Sequence, residues 1–295
     1  MKNSTKGQVK RTKRGPESPG IPISDTPSNA RGDQLCMLML GGLLVLSAAT
    51  LVGGMYYGIM GFHTSFTHAP ILYWDCLGYF LLVAASILVA RAIGSLSFFG
   101  TVALGTRFGA WKAVEAIGSK APQLKRVLPG GASWLSTAYV QSVCNRGLYK
   151  EAIAAAQAEW DRSSKDPKQY QHLGTICFTA GIACQGLGDI KQSHAWNEKA
   201  LDILNKCSEE LAKPQKGMLA KAMAPQTEQA AGQLKMQLAA TYFNVATYYF
   251  NVQDYRRAKE NYRLALENAR IAPEFPQKAE MIKFGQEQMA RLKHS

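Results

Sequence analysis

The residues of this chain most able to do chemistry are five histidines and six cysteines, and their spacing limits what that chemistry is. Cys177 and Cys184 stand seven apart, on one face of a helix. With no CxxC pair and no HExxH anywhere, they read as small buried hydrophobes rather than ligands or nucleophiles. His63 and His68 share a short stretch with nearby Asp75. Those three groups can hold a divalent ion, but a five-residue spacing in a loop does not preset the geometry, and no metal site is assigned. His172 and His194 have no carboxylate or nucleophile partner visible in the local sequence. A triad is assembled in space, so a hydrolase with a dispersed site stays open as a third-ranked reading. The glycine pairs Gly41–Gly42, Gly53–Gly54 and Gly130–Gly131 lack the following Lys-Ser/Thr of a phosphate loop. The expectation is therefore no cofactor, no catalytic residue and no enzyme. A basic series, Arg256, Arg257, Lys259, Arg263 and Arg270, reads as a solvated helix face paired locally with Glu260 and Glu267. Contact with acidic lipid or an acidic peptide is its alternative. Nucleic acid is set aside, because no interleaved aromatic and basic reading surface accompanies it.

The distribution of charge shows what must position these groups. The net charge is +13 over 295 residues, yet no Lys or Arg occurs between Gly32 and Ala90. Residues 1–34 carry net +4, residues 91–132 net +5, and the long stretch from Ser133 to Ser295 only +5. Leu35–Met60 is uncharged, and Ile71–Ile93 has only Asp75 and Arg91 near its ends. As helices they extend about 39 Å and about 35 Å, enough to cross a bilayer with tilt. Tyr56 and Tyr57 close the first span, and Tyr73 and Trp74 open the second, as an aromatic belt at one interface. Asp75 reads as a hydrated interfacial carboxylate. The connecting Gly61–Pro70 has no Lys or Arg, so the positive-inside rule places both termini in the cytoplasm. The expectation is a transmembrane hairpin over residues 35–95 in an integral protein of the bacterial inner-membrane type. Gly54 and Gly58 have the GxxxG spacing that lets a second helix approach, within the hairpin or between two chains as a homodimer.

The flanks differ. Residues 1–34, rich in Lys, Ser, Pro and Gly, read as a disordered basic tail. Residues 96–132 read as an amphipathic interfacial helix followed by a linker at Pro122, Pro129, Gly130 and Gly131. A helix packing on the following domain is the alternative.

From Ser133 the apolar pattern turns helical and repeats itself. Three segments align on a turn joining two helices: Ser133–Trp160, Cys177–Leu204 and Tyr242–Ala269. In the last, Ala246, Tyr249, Asp254–Tyr255, Ala258, Tyr262 and Ala265 form an alternation of small and large residues around that turn. In the second, Gly181, Cys184, Gly188–Asp189–Ile190, Ser193, Asn197 and Ala200 occupy the same places. The first keeps Gly147–Leu148–Tyr149 and Ala152. The pattern resembles the tetratricopeptide repeat over residues 133–273, a little under half of the chain. The turn positions Leu148, Asp189 and Asp254 are 41 and 65 residues apart, against a usual repeat of about 34. Longer helices and an insertion near Ala212–Gln226, where Pro214, Gly217 and Pro225 break helices, account for the difference. A degenerate extra pair in residues 205–235 is left open.

With the hairpin read from hydropathy, the expectation is an all-α chain: a two-helix transmembrane hairpin, then, as the resemblance implies, an α-solenoid of antiparallel pairs over residues 133–295. The last helix, Gln277–His294, is its capping helix. Small residues such as Ala246 and Ala258 let paired helices approach, and Tyr249 and Tyr262 fill the gaps left. The resemblance also implies a concave groove for a protein or peptide partner. Carried over position by position, its lining is Thr137, Gln141 and Cys144, then Phe178, Ile182 and Gln185, then Asn244, Thr247 and Asn251. Asn244 matches the position at which chaperone-binding members hold a terminal carboxylate, though the companion basic residues are absent. The expected function is a membrane-anchored, cytoplasm-facing interaction scaffold. The alternative is an accessory subunit of a membrane transporter or enzyme, with the hairpin as the functional contact.

Overall fold

The computed structural model describes residues 28–67, 73–120, 123, 132–212, 218–275 and 278–292. The basic tail before Ser28, the end of the loop between the apolar spans with His68, most of the linker, and the stretch holding Pro214 and Gly217 lie outside the described residues. Among those described there are ten α-helices and no strand. They are α1 Ala30–Thr67, α2 Tyr73–Phe108, α3 Trp111–Gly118, α4 Ala132–Asn145 and α5 Tyr149–Ser163. After a 3₁₀ turn at Pro167–Gln169 come α6 Tyr170–Gly186, α7 Ile190–Ala212, α8 Met218–Asn251, α9 Tyr255–Ile271 and α10 Lys278–Arg291. The chain divides into two compact units that meet at Ser163 and Ser164. So α4 and α5 group with the apolar helices, although the sequence pattern starts the repeat domain at Ser133.

In the first unit, α1 and α2 are long and apolar enough to cross a membrane. Only 11% of the most apolar stretch of each is buried. Leu38, Val45, Phe80 and Leu88 are among the side chains left open. In water such a surface costs about 25 cal/mol for each Å² exposed, so it calls for an apolar surround. The two helices pack on each other along a small-residue stripe. A Cβ placed on Gly54 would overlap Ser86, one on Gly58 would overlap Val83, and one on Gly61 would overlap the Tyr79 ring. The Ser47 hydroxyl donates to the Ala90 carbonyl at 2.7 Å across the same contact. Gly54 and Gly58 thus face α2 within the hairpin, the first of the two placements their spacing allows.

Both spans are longer than the hydropathy pattern suggests. The first begins at Ala30 rather than Leu35, because the chain before it is tied to the end of α2. The Asn29 amide donates to the Gly109 carbonyl at 3.0 Å. The Asp33 carboxylate accepts from Ser28 Oγ at 2.6 Å and from the Ala113 amide at 3.0 Å. Asp33 therefore caps α3 from another helix, satisfying a donor that a helix start leaves orphaned. The second span runs to Phe108 and absorbs the first half of the segment read as an interfacial helix. Ser97 and Thr101 donate to the carbonyls four residues back, at 2.6 Å each, and so fit a helix interior. Gly109, at φ +66°, ends it. What remains separate is α3, and its apolar face is packed rather than turned to lipid. Val114 and Ile117 join Leu40, Val102, Leu135 and Ala138 in one buried cluster drawn from four helices. Glu115 is ion-paired with Arg146 at the end of α4.

The turn after a helix recurs three times with one geometry. Gly147, Gly188 and Gln253 have φ of +75°, +80° and +63°. In each case the next amide reaches back five residues: Leu148 to Val143 at 3.1 Å, Asp189 to Cys184 at 2.9 Å and Asp254 to Tyr249 at 2.9 Å. This is the Schellman ending, with a left-handed residue closing the last turn. Asp189 and Asp254 then cap the following helices, accepting from Gln192 N at 2.9 Å and Arg257 N at 3.1 Å. Leu148 has no side chain able to do this. Gln253 is the only non-glycine residue with positive φ among those described. Gln253→Gly relieves its left-handed strain and is expected to stabilise by about 0.5–1 kcal/mol, read as a raised midpoint in chemical denaturation.

In the second unit α6 packs on α7, α7 on α8, α8 on α9, and α9 on α10. Gly174 faces Leu204, and a Cβ on Gly181 would lie 2.9 Å from Asn197 Nδ2, so these glycines admit α7 close to α6. The main cluster holds Ala239, Phe243, Ala246, Ala258, Tyr262 and Ala265, closed by Met281 and Leu292. A Cβ on Gly285 of α10 would sit 2.8 Å from Phe243. A single helix, α8, runs from Met218 to Asn251 straight through Pro225. That corrects the expectation that Pro225 breaks a helix, and among the described residues the stretch 205–235 holds only the end of α7 and the start of α8. The long spacing between turns is taken up by helix length.

Candidate functional site

The nine residues assigned to a groove do not form one open surface. Thr137, Cys144, Phe178, Asn244 and Thr247 are buried. Gln141, Ile182 and Gln185 are half-buried, and Asn251 is exposed. The Thr247 hydroxyl lies 2.9 Å from the Phe243 carbonyl and 3.3 Å from the Tyr262 hydroxyl. Asn244 Nδ2 donates to Asn197 Oδ1 at 3.4 Å, and Asn197 donates to the Ser193 carbonyl at 2.9 Å. Asn244 thus bridges α8 and α7, with its amide engaged inside the fold. Thr137 likewise donates to the Ser133 carbonyl at 3.0 Å. The residues assigned to packing lie differently. Ala246, Ala258, Tyr262, Ala265, Gly181 and Ala200 are buried, Tyr249 is half-buried, and Gly188 is exposed at its turn.

A connected set of polar and aromatic groups lies between the start of α7 and the end of α8. The His194 ring stacks on Tyr248 at 3.8 Å and 9°, and meets Tyr249 edge-on at 5.0 Å. His194 Nε2 lies 3.2 Å from Glu198 Oε1, which also accepts from the Tyr249 hydroxyl at 3.1 Å. The Arg257 guanidinium stands over the Tyr249 ring at 5.3 Å. His194 Nδ1 is buried with no hydrogen-bond partner. Burial holds the His194 pKa below its usual value, Glu198 opposing and Arg257 assisting. A proton on Nδ1 would create a buried donor with nothing to accept it. Glu198 stands one helical turn after His194, which corrects the expectation that His194 has no carboxylate partner in the local sequence. The stack on Tyr248 depends on two helices meeting.

The sign of the resulting pH effect follows. With the folded pKa depressed, the unfolded chain binds more protons in the window below about 6.5. Stability contributed by neutral His194 is full above that value and falls as pH drops through the window. His194→Phe keeps the stack and removes the titration. Its midpoint temperature is expected to fall less than that of the parent between pH 7 and pH 5, measured by circular dichroism.

The thiols are poorly suited to nucleophilic work. Burial pushes Cys177 up to about 12 and Cys184 up to about 11. Thiolate is scarce in both at neutral pH. A cavity of about 160 Å³ lies among α3, α4 and α5, lined by Ser136, Tyr139, Ala155, Glu159 and Arg162 among others. Its one carboxylate is engaged: Glu159 accepts from Arg162 at 2.8 Å and from Ser163 Oγ at 2.8 Å. His172 is half-buried on α6 and His63 exposed on α1. Among the described residues, no three of His, Cys, Asp or Glu come together as a metal-binding group.

No family model matches the chain, and neither a curated protein nor a solved structure matches it.

Proposed function

We propose that the chain is a membrane-anchored interaction scaffold, with α1 and α2 crossing the bilayer and a tetratricopeptide-like helical domain facing the cytoplasm. The observation that carries this reading is one chain joining two largely uncovered apolar helices to a recurring Schellman turn. Around the last of those turns, Ala246, Ala258 and Ala265 pack against Tyr262. Small residues at these places bring helices together and leave a face for a partner. In this reading α6–α7 and α8–α9 are successive repeats, α10 caps the last, and α4–α5 is a degenerate copy. The accessible part of a groove is then Ile182, Gln185 and Asn251, since the other assigned residues of α6 and α8 are buried. The partner is a protein or peptide held there, and the lipid bilayer is the second partner.

Two experiments test it. A reporter active only outside the membrane, fused after Ser295, is expected to be silent, and one active only in the cytoplasm is expected to work. The reverse result overturns the orientation. Affinity capture in mild detergent is then compared between the parent and a chain whose two spans are replaced by an unrelated hairpin. Retained capture supports a scaffold. Loss of capture with a folded helical domain favours an accessory subunit that works through the hairpin.

A further inference from the structure

We infer that the second unit docks a defined edge, built from its α6–α7 and α8–α9 turns, onto the surface of an anionic bilayer. The inference goes beyond the scaffold reading and rests on its anchoring part. The His194–Tyr248 stack at 3.8 Å holds the start of α7 against the end of α8, which puts both turns at one end of the unit. Each turn presents two apolar side chains at matching places. Leu187 and Ile190 are 45% and 49% exposed, and Val252 and Tyr255 are 53% and 40% exposed. Turn tips in water favour polar residues, so four open apolar groups at one end are unusual. The Tyr255 ring is steadied by an edge contact with Phe250 at 5.9 Å.

The charges beside them suit lipid headgroups. Lys191 and Arg256 follow the two distal apolar residues directly and are exposed. The carboxylates of the same turns keep their charge but are held as helix caps, Asp189 on Gln192 N and Asp254 on Arg257 N, and Asp254 also pairs with the Arg257 guanidinium at 3.5 Å. Apolar side chains that enter the headgroup region beside cations are the signature of interfacial binding. Residues 164–295 carry 18 Lys and Arg against 13 Asp and Glu, and that net +5 favours an anionic leaflet in the same sense. Because the unit is tethered to apolar helices, weak intrinsic binding suffices, the contact being intramolecular in effect.

The test uses the full chain in vesicles of about 30% phosphatidylglycerol in phosphatidylcholine, and in phosphatidylcholine alone. An environment-sensitive fluorophore is placed at Leu187→Cys or Val252→Cys, and at Gln286→Cys on α10 as the reference. Nitroxide-labelled lipid is expected to quench the first two about threefold more than the third in anionic vesicles. The excess is expected to shrink in neutral vesicles, and in the Lys191→Gln/Arg256→Gln double variant with unchanged circular dichroism. Equal quenching at all three sites overturns the inference. So does a blue shift that rises with protein concentration in detergent without lipid, which would assign the edge to a second copy. An alkaline wash separates the two readings. A chain that stays with the vesicles yet shows no excess quenching loses only the docking edge, whereas a chain that washes off loses the anchor as well.

Discussion

Tyr262→Ala is expected to destabilise the second unit by about 3–5 kcal/mol, the range for removing a large ring from a closed core. Tyr262 is 1% exposed and sits where three helices meet. Its ring centroid lies 5.9 Å from that of Phe243 on α8 and 6.4 Å from that of Phe284 on α10. The alanines around it, Ala246, Ala258 and Ala265, are fully buried and have no longer side chain with which to fill the void. A loss of that size is a large fraction of the 5–15 kcal/mol typical of a folded domain. Tyr262→Phe separates the ring from the hydroxyl. It removes only the contact with Thr247, whose hydroxyl keeps the Phe243 carbonyl at 2.9 Å, so about 1 kcal/mol is expected. Denaturant melts of the full chain in detergent, followed by helical circular dichroism, measure both. A change below about 1 kcal/mol for the alanine variant would mean that this packing does not hold the unit together.

Gly58→Leu is expected to separate the two apolar helices. A Cβ at Gly58 already overlaps Val83, and the Tyr79 carbonyl is 3.3 Å away, so a leucine cannot be placed without moving α2. Overpacking of this kind costs about 1–3 kcal/mol, and more where backbone stands in the way. In the proposed membrane-spanning arrangement lipid gives helices little hydrophobic reason to stay together, so close van der Waals contact is most of what is lost. Gly53→Leu is the internal control. A Cβ at Gly53 meets nothing within 4 Å, and a leucine there faces outward at little cost. The readout is a short crosslink between Ser47→Cys and Ala90→Cys, placed where the Ser47 hydroxyl meets the Ala90 carbonyl. The crosslink is expected to fall sharply with Gly58→Leu and to persist with Gly53→Leu. Equal yields in the two variants would show that the stripe does not pair these helices.

The same glycines show where sequence reading stops. GxxxG spacing marks a face that admits a neighbour, and it carries no record of which neighbour. Gly53 and Gly54 are adjacent in the chain, yet only Gly54 meets Ser86. The groove assignment meets a related limit. Asn244 and Thr247 were assigned by position in a repeat, but each bonds inside the fold. Glu198 was within reach, four residues after His194 on one helix face. Tyr248 was not, because its place depends on α8 lying against α7.

The sequence by itself determined the helical class, the two apolar spans, the turns at Gly147–Tyr149, Gly188–Ile190 and Asp254–Tyr255, and the small and large residues beside them. Those features are local: transfer cost, helix period and left-handed turn geometry act over a few residues at a time. Only the tertiary structure decided that α2 runs on to Phe108, that α3 turns its apolar face inward, that α4 and α5 belong with the hairpin, and that His194 sits on Tyr248. Each of these depends on which two surfaces meet. Packing fixes that choice through shape, and a one-dimensional pattern of apolar residues does not contain it.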